Sequence, residues 1–402
     1  MNRPVGKRLT GLALFVVAAI ATIGIQHLFA QEPREPEFEL RKLPARHLKE
    51  QWTGEIGEEI KATASATTIP MSTYSFAATK DGKTYTGTLV GTSPFAATKT
   101  SATIPVMVVP IKVTIGTTVF DPSATNTCDG NISTVNRFNE SPIVQVAPLT
   151  FNGVSVGTTQ YINGFLRAEF WGEIAGSAAY QNTLTFTTAA EVSVTAATTG
   201  TAVQGSVSST GCTQLGIVSY SWFTSYLTGT LIPSLTKSGV IAPTKLVVFL
   251  LRNVVGSTGT PPTTTGCCVL GTHGAVGSPV QTYAVVDWDT TGSFGSETDG
   301  AGPSHEIAEW MNDPLGTNPT PAWGNIGQNS SCQTDVEVGD PLVGTVMPAI
   351  TLSGKAYHMQ ELAFFSWFFN KLGVASLGAG GKFSGNGTFK GTSKACPPGG
   401  TN

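Results

Sequence analysis

Pro303-Ser304-His305-Glu306-Ile307-Ala308-Glu309-Trp310-Met311-Asn312-Asp313-Pro314 is the stretch around which the rest of the chain is organised. At about 100° per residue, Ile307, Ala308, Trp310 and Met311 fall on one side of a helix, with His305, Glu306, Glu309, Asn312 and Asp313 on the other. Pro303 suits the first helical position, where no amide hydrogen is needed, and Asp313-Pro314 ends the element. The spacing therefore predicts a short helix with one core face and one face for chemistry or solvent. Glu309 and Asp313 lie toward its C-terminal end, where the helix dipole disfavours negative charge, so a functional reason for them is expected.

The 402 residues, 40% of them apolar, suffice for one large core or two ordinary ones. Arg3, Lys7 and Arg8 precede an apolar run from Leu12 to Ile25, and Phe29-Ala30 precedes polar Gln31-Glu32-Pro33. That is the three-part pattern of a secretory signal peptide over residues 1–30, and it predicts a secreted or periplasmic protein with no membrane segment after cleavage. Residues 1–30 hold three basic and no acidic groups, so their removal moves the net charge from −3 to −6. A mildly acidic protein is a poor nucleic-acid binder, which leaves an extracellular polypeptide or a cell-surface polymer as the expected partner. Six cysteines in an oxidising compartment predict up to three disulfides, and the adjacent Cys267 and Cys268 are expected to bond to two different partners. No CxxC pair is present, which argues against a thiolate zinc site.

Residues 31–62 are rich in Glu, Arg, Lys and Pro, the composition of a charged linker or pro-segment. From 63 to 205, Thr- and Val-rich runs such as Thr84–Val90, Ile104–Ile115 and Leu184–Thr195 alternate with turn signals. They predict a β-rich domain, with a sandwich as one arrangement, interrupted by one helix over Thr159–Ile174. From 206 to 402 the expectation is a helix over Tyr220–Leu235, buried strands over Lys245–Leu251 and Gln281–Asp287, the helix at His305, and an apolar helix over Tyr357–Lys371. The fold class is thus α+β.

His305 and Glu309 are four residues apart, so on a helix both side chains reach one point, as a divalent metal requires. Glu306 lies on the flank of the same face, where it can act as general base toward water. The arrangement resembles the His-Glu-x-x-His signature of zincin metalloproteases, with Glu309 standing where that family has its second histidine. The resemblance implies a zincin-like mixed sheet with an active-site helix, a bound divalent metal with zinc the first expectation, and hydrolysis of a peptide or related bond. A carboxylate in place of imidazole lowers the metal's Lewis acidity and widens the choice of metal. Spacing leaves the third ligand open among Asp313, one turn further on, Glu337 and Asp340 in the acidic cluster Asp335–Pro341, His273, and His358 with Glu361.

A second resemblance rests on Ser304–Pro314 followed by Pro321-Ala322-Trp323, together with Cys268 and Gly271-Thr272-His273-Gly274. These are similar to motifs of secreted plant phosphate-induced (EXORDIUM-like) proteins, and to uncharacterised secreted bacterial proteins that also share Glu337–Leu342 and Gln360–Phe369. That likeness implies a common site around His305 and names no substrate.

Other chemistries find less support. Ser304 adjoins His305, but neighbours on a helix do not face each other, and no Gly-x-Ser-x-Gly elbow occurs. Gly-rich segments lack the ending of a phosphate loop. Glu306 or Glu309 paired with Glu337 would serve glycoside hydrolysis only at a suitable separation. The alternative to an enzyme is a non-catalytic secreted or cell-surface binding protein that keeps the same architecture.

Overall fold

The computed structural model describes residues 43–50, 69–200, 203–369, 382–393 and 396. The expected signal peptide and most of the charged segment lie outside them. Among the described residues, eleven strands form one mixed sheet: β1 (Arg46–Glu50), β2 (Ser101–Ile115), β3 (Thr118–Phe120), β4 (Gln181–Thr188), β5 (Val192–Ala196), β6 (Gly205–Ser208), β7 (Leu215–Ser219), β8 (Leu246–Arg252), β9 (Val254–Ser257), β10 (Cys267–Val276) and β11 (Gln281–Trp288). The main path runs β4-β2-β8-β11-β10-β9-β7-β6, while β3 and β5 pair with the far end of β2 and β1 pairs with β10.

β8 shows why the sheet is central. Its side chains alternate faces, with Val247, Phe249 and Leu251 in one apolar cluster and Leu246, Val248 and Leu250 in another. A strand apolar on both faces must be covered on both, and parallel neighbours β2 and β11 flank it. Consecutive helical segments Tyr220–Tyr226, Leu227–Leu231 and Ile232–Lys237 cover one face through Phe223, Leu227, Leu231 and Ile232. α1 (Tyr161–Glu169) and α2 (Ala301–Asn312) pack on the other through Phe165, Ile307, Trp310 and Met311.

Several expectations change here. The division into 63–205 and 206–402 is crossed by the sheet, since Val106 pairs with Leu246, and residues 41–402 cluster as one compact unit. The β-rich half is therefore part of a shared mixed sheet and not a sandwich of its own. The charged run is not all linker, because Arg46–Glu50 is a sheet strand. The helix expected over Thr159–Ile174 breaks at Phe170 into α1 and a single turn, Trp171–Ile174.

The helix expected over Tyr357–Lys371 shrinks to α3 (Phe365–Phe369), with residues 370 and 371 outside the description. Tyr357 instead ends a hairpin of Ile350–Leu352 with Lys355–Tyr357. A run apolar on every side carries no periodicity to tell a helix from buried extended chain.

Cysteine pairs stand at disulfide distance as Cys128–Cys212, Cys332–Cys396 and, against expectation, Cys267–Cys268. The peptide between the last two is cis, and their Cα atoms are 3.0 Å apart. Cys396 ties the C-terminal tail to β13 (Asn329–Asp335), which pairs with β12 (Pro319–Ile326). Among the described residues no helix is long and apolar enough to cross a membrane.

Candidate metal centre

α2 begins at Ala301, two residues before the expected start, and Pro303 sits in its first turn, where a missing amide hydrogen is tolerated. Gly302 lets that turn lie against the sheet, for a Cβ there would come within 3.0 Å of the Asp287 carbonyl oxygen. All of α2 is buried, polar face included. The charges of that face are therefore not solvated.

Other segments close over it. β10 supplies His273, β1 supplies His47, and the loop after β13 supplies Glu337 and Asp340. His305 Nε2 lies 2.9 Å from Glu309 Oε2 and 3.5 Å from Asp340 Oδ1. His273 Nδ1 lies 3.2 Å from Glu306 Oε2 and 3.5 Å from Glu309 Oε2, while its Nε2 is 4.0 Å from Glu337 Oε2. His47 Nδ1 meets Glu306 Oε1 at 2.8 Å, and the His47 ring stacks on His305 with centroids 3.7 Å apart. Donor atoms of His305, Glu309 and Asp340 gather within 4.8 Å of one another, as do those of His273, Glu306 and Glu309, and of His47, His305 and Glu306.

Four carboxylates buried this closely need cations among them, since an uncompensated buried charge costs several kcal/mol. Protons on the imidazoles or a metal ion would meet that need. The hydrogen bonds around His305 show which of its nitrogens faces the carboxylates. Gln360 donates its amide NH2 to the Gly339 carbonyl at 2.6 Å, so its Oε1 faces His305 Nδ1, 2.8 Å away, and must accept the proton there. Nε2 is then the ring's other nitrogen, pointed at carboxylate oxygens of Glu309 and Asp340, where it can carry a second proton or bind a metal. Either cation would relieve the repulsion between the two carboxylates. A tetrahedral site with bonds of about 2.0–2.1 Å has ligand atoms roughly 3.3–3.4 Å apart. The 2.9 and 3.5 Å separations bracket that edge.

Electrostatics agree with a strongly polarised cluster. Burial works against charge on His305, yet Glu309, Asp340 and Glu306 hold its pKa well above the usual histidine value. Burial likewise opposes ionisation of Glu309, but the charges of His305 and His273 bring it down to about 2. Amides help: Gly339 and Asp340 donate to Glu309 Oε1 at 3.0 and 3.3 Å. The acid at the unfavourable end of the helix dipole is thus surrounded by donors. Burial, then repulsion from Glu309, raises Asp340 to about 6. Burial also pushes Glu306 well above the carboxylate range, against His305 and with Glu309 and Asp340.

Two glycines make room for this packing. A Cβ on Gly339 would fall 2.3 Å from His305 Nδ1, and one on Gly271 2.3 Å from Glu306 Oε1. Gly339 has ordinary negative φ, so space and not conformation demands a glycine.

Of the residues singled out in the sequence, His305, Glu306, Glu309, His273, Glu337 and Asp340 lie together. Asp313 does not join them. It caps α2 with φ −145° and ψ 73°, which turns the chain away, and its carboxylate accepts from the amides of Thr317 and Asn318 at 2.8 and 2.9 Å. His358 is also elsewhere: it lies outside any helix, and its ring meets Asp299 at 2.8 Å. Glu361 accepts from Ser384, Asn386 and Thr388 and organises the tail. His47 and Gln360 were not foreseen. For His47 the available signal was scarcity, as one of only five histidines. No protein-family model, curated protein or solved structure matches this chain.

Proposed function

We propose that the protein is a secreted, zincin-like metal-dependent hydrolase of peptide or related bonds. His305, Glu309 and Asp340 would hold the metal, with His273 beside them and Glu306 as general base. The observation that carries this reading is that Gln360 commits Nδ1 of His305, so that Nε2 faces two carboxylates across ligand-like separations. A dication bound there would polarise the scissile carbonyl and lower the pKa of water at the site.

The chain's own residues divide the remaining work. Gln360 keeps the proton on His305 Nδ1, the role that such outer partners play for ligating imidazoles. Gln328 donates to Asp340 Oδ1 and Asn329 to Oδ2, at 3.3 Å for the latter, so that carboxylate is held in place. Glu306, made more basic by burial, takes the proton of the attacking water and passes it to the leaving nitrogen. Two anionic ligands neutralise a dication and weaken its Lewis acidity, so a strong base matters more here than beside neutral imidazoles.

Metal analysis of purified protein tests the reading. About one zinc or other divalent ion per chain is expected, lost in His305→Ala. Glu306→Gln should keep the metal and lose hydrolysis of a casein or peptide-library substrate. Wild-type protein without stoichiometric metal after incubation with zinc would end the proposal.

A further inference from the structure

We infer that the outer side of β10 is a binding groove for an extended polypeptide, and that residues 43–50 lie in it as the chain's own tethered occupant, with His47 stopping the site. This deepens the hydrolase reading and rests on it for the fate of the bound chain.

The sheet supplies the first argument. β9 pairs β10 at Cys267 and Val269, and β11 pairs it from Gly271 onward. β1 takes the opposite side, since Val269 pairs with both Gly256 and Arg46 and Gly271 with both Val286 and His47, and from Val269 to Gly274 that side is paired by β1 alone among the described residues. Without β1, β10 would present an open edge directly beside His273. Open edges bind strands.

The second argument is how the segment is held. The Pro44 carbonyl accepts from the Cys268 amide at 3.1 Å, and the Leu43 amide donates to the Ser293 carbonyl at 2.9 Å. Gln328 grips one peptide unit with both ends of its side chain, accepting from the His47 amide at 2.5 Å and donating to the His47 carbonyl at 2.7 Å. These contacts all use main-chain atoms of the segment, which any extended stretch without proline at the gripped position would offer. Gln328 also donates to Asp340, so the main-chain grip is coupled to a proposed ligand.

The third argument is His47 itself. Its Nδ1 engages Glu306, the proposed base, and its ring lies flat on His305. Its Nε2 is buried with no hydrogen-bond partner among the described residues. A side chain with one orphaned nitrogen, held over the base, behaves as a stopper. Cavities of about 660 and 500 Å³ border the segment, one lined by His47, Gln328, Glu337 and Asp340, the other by Leu43, Phe294 and Glu297. There is room on both sides for a chain with larger side chains.

The test keeps the full chain and places a rare-cutting protease sequence between Gly54 and Glu55. After cleavage and washing, a fluorescent peptide Leu-Pro-Ala-Arg-His-Leu-Lys-Glu should bind the cut protein and not the uncut one. Its His→Ala version should bind at least about tenfold more weakly, as expected for losing a charge-assisted bond. Amide hydrogen exchange at residues 270–274 should quicken on cleavage and slow again with added peptide. Metal content should be unchanged, and casein hydrolysis should rise. A cut protein that binds no peptide and exchanges as slowly as the uncut one would overturn the inference, as would loss of the metal in His47→Ala, which would make His47 a resident ligand. Peptide binding by a protein devoid of metal would instead uphold the groove and defeat the hydrolase reading.

Discussion

Gln360 Oε1 and His305 Nδ1 face each other at 2.8 Å, and the other end of the same amide is committed to the Gly339 carbonyl. One side chain thereby decides which nitrogen of the imidazole is free. Replacing Gln360 with Ala should lower metal affinity by about 10–100-fold, the usual cost of removing such a partner, measured by competition with a fluorescent chelator. Unchanged affinity would show that His305 needs no such orienting.

Gly271 and Gly339 make a matched pair of tests. Gly339→Ala places a Cβ against the His305 ring and should reduce metal content. Gly271→Ala places one against Glu306, which should abolish hydrolysis and leave the metal bound. The same loss in both variants would mean that the two positions disturb one shared structure.

Asp313→Ala should retain the metal and lose stability. Its carboxylate accepts from two amides, and losing buried acceptors of this kind costs about 1–3 kcal/mol, readable as a shift in urea midpoint. Loss of metal in a folded Asp313→Ala protein would return this residue to the ligand set.

Glu297 gives the stability a pH dependence. Burial raises its carboxyl to about 7, against the pull of the Gly344 amide and of His305, from an ordinary value of 4.5. The native state therefore keeps a proton that the unfolded chain has shed, and this group's contribution to stability declines as pH rises through that window. Glu297→Gln does not titrate. Wild type should lose stability relative to the variant between about pH 5 and about pH 8, by roughly 1.4 kcal/mol for each unit separating the two pKa values. Parallel denaturation curves at both pH values would refute this.

Joint replacement of Cys332 and Cys396 by Ser should lower stability by up to roughly 4 kcal/mol, the chain-entropy value for a closed loop of this length. Denaturant titration of the oxidised protein and the double variant would measure it.

Local patterns made much of this legible. β8 and β11 are visible as apolar, β-branched runs, and the i, i+4 spacing of His305 and Glu309 brings their side chains together on α2. What could not be seen is whatever depends on distant chain. His47 comes from a charged run and reaches Glu306 only because β1 pairs with β10, a contact across 259 residues. Gln360 looks like any polar residue until its two hydrogen bonds are traced. Asp313 misled because its spacing is right only while the helix continues, and the backbone turns at that residue.

The order of strands in the sheet also bears on how the protein comes to exist. β2 pairs with β8, and β1 with β10, so the segments synthesised first wait for partners made well over a hundred residues later. Such high contact order slows folding to the range of milliseconds to seconds. Meanwhile the side of the Val-rich β2 that will meet β8 stands open, available to the same strand of another molecule. Refolding yield should therefore fall as protein concentration rises, and a nascent chain would benefit from being kept extended until its second half has been made.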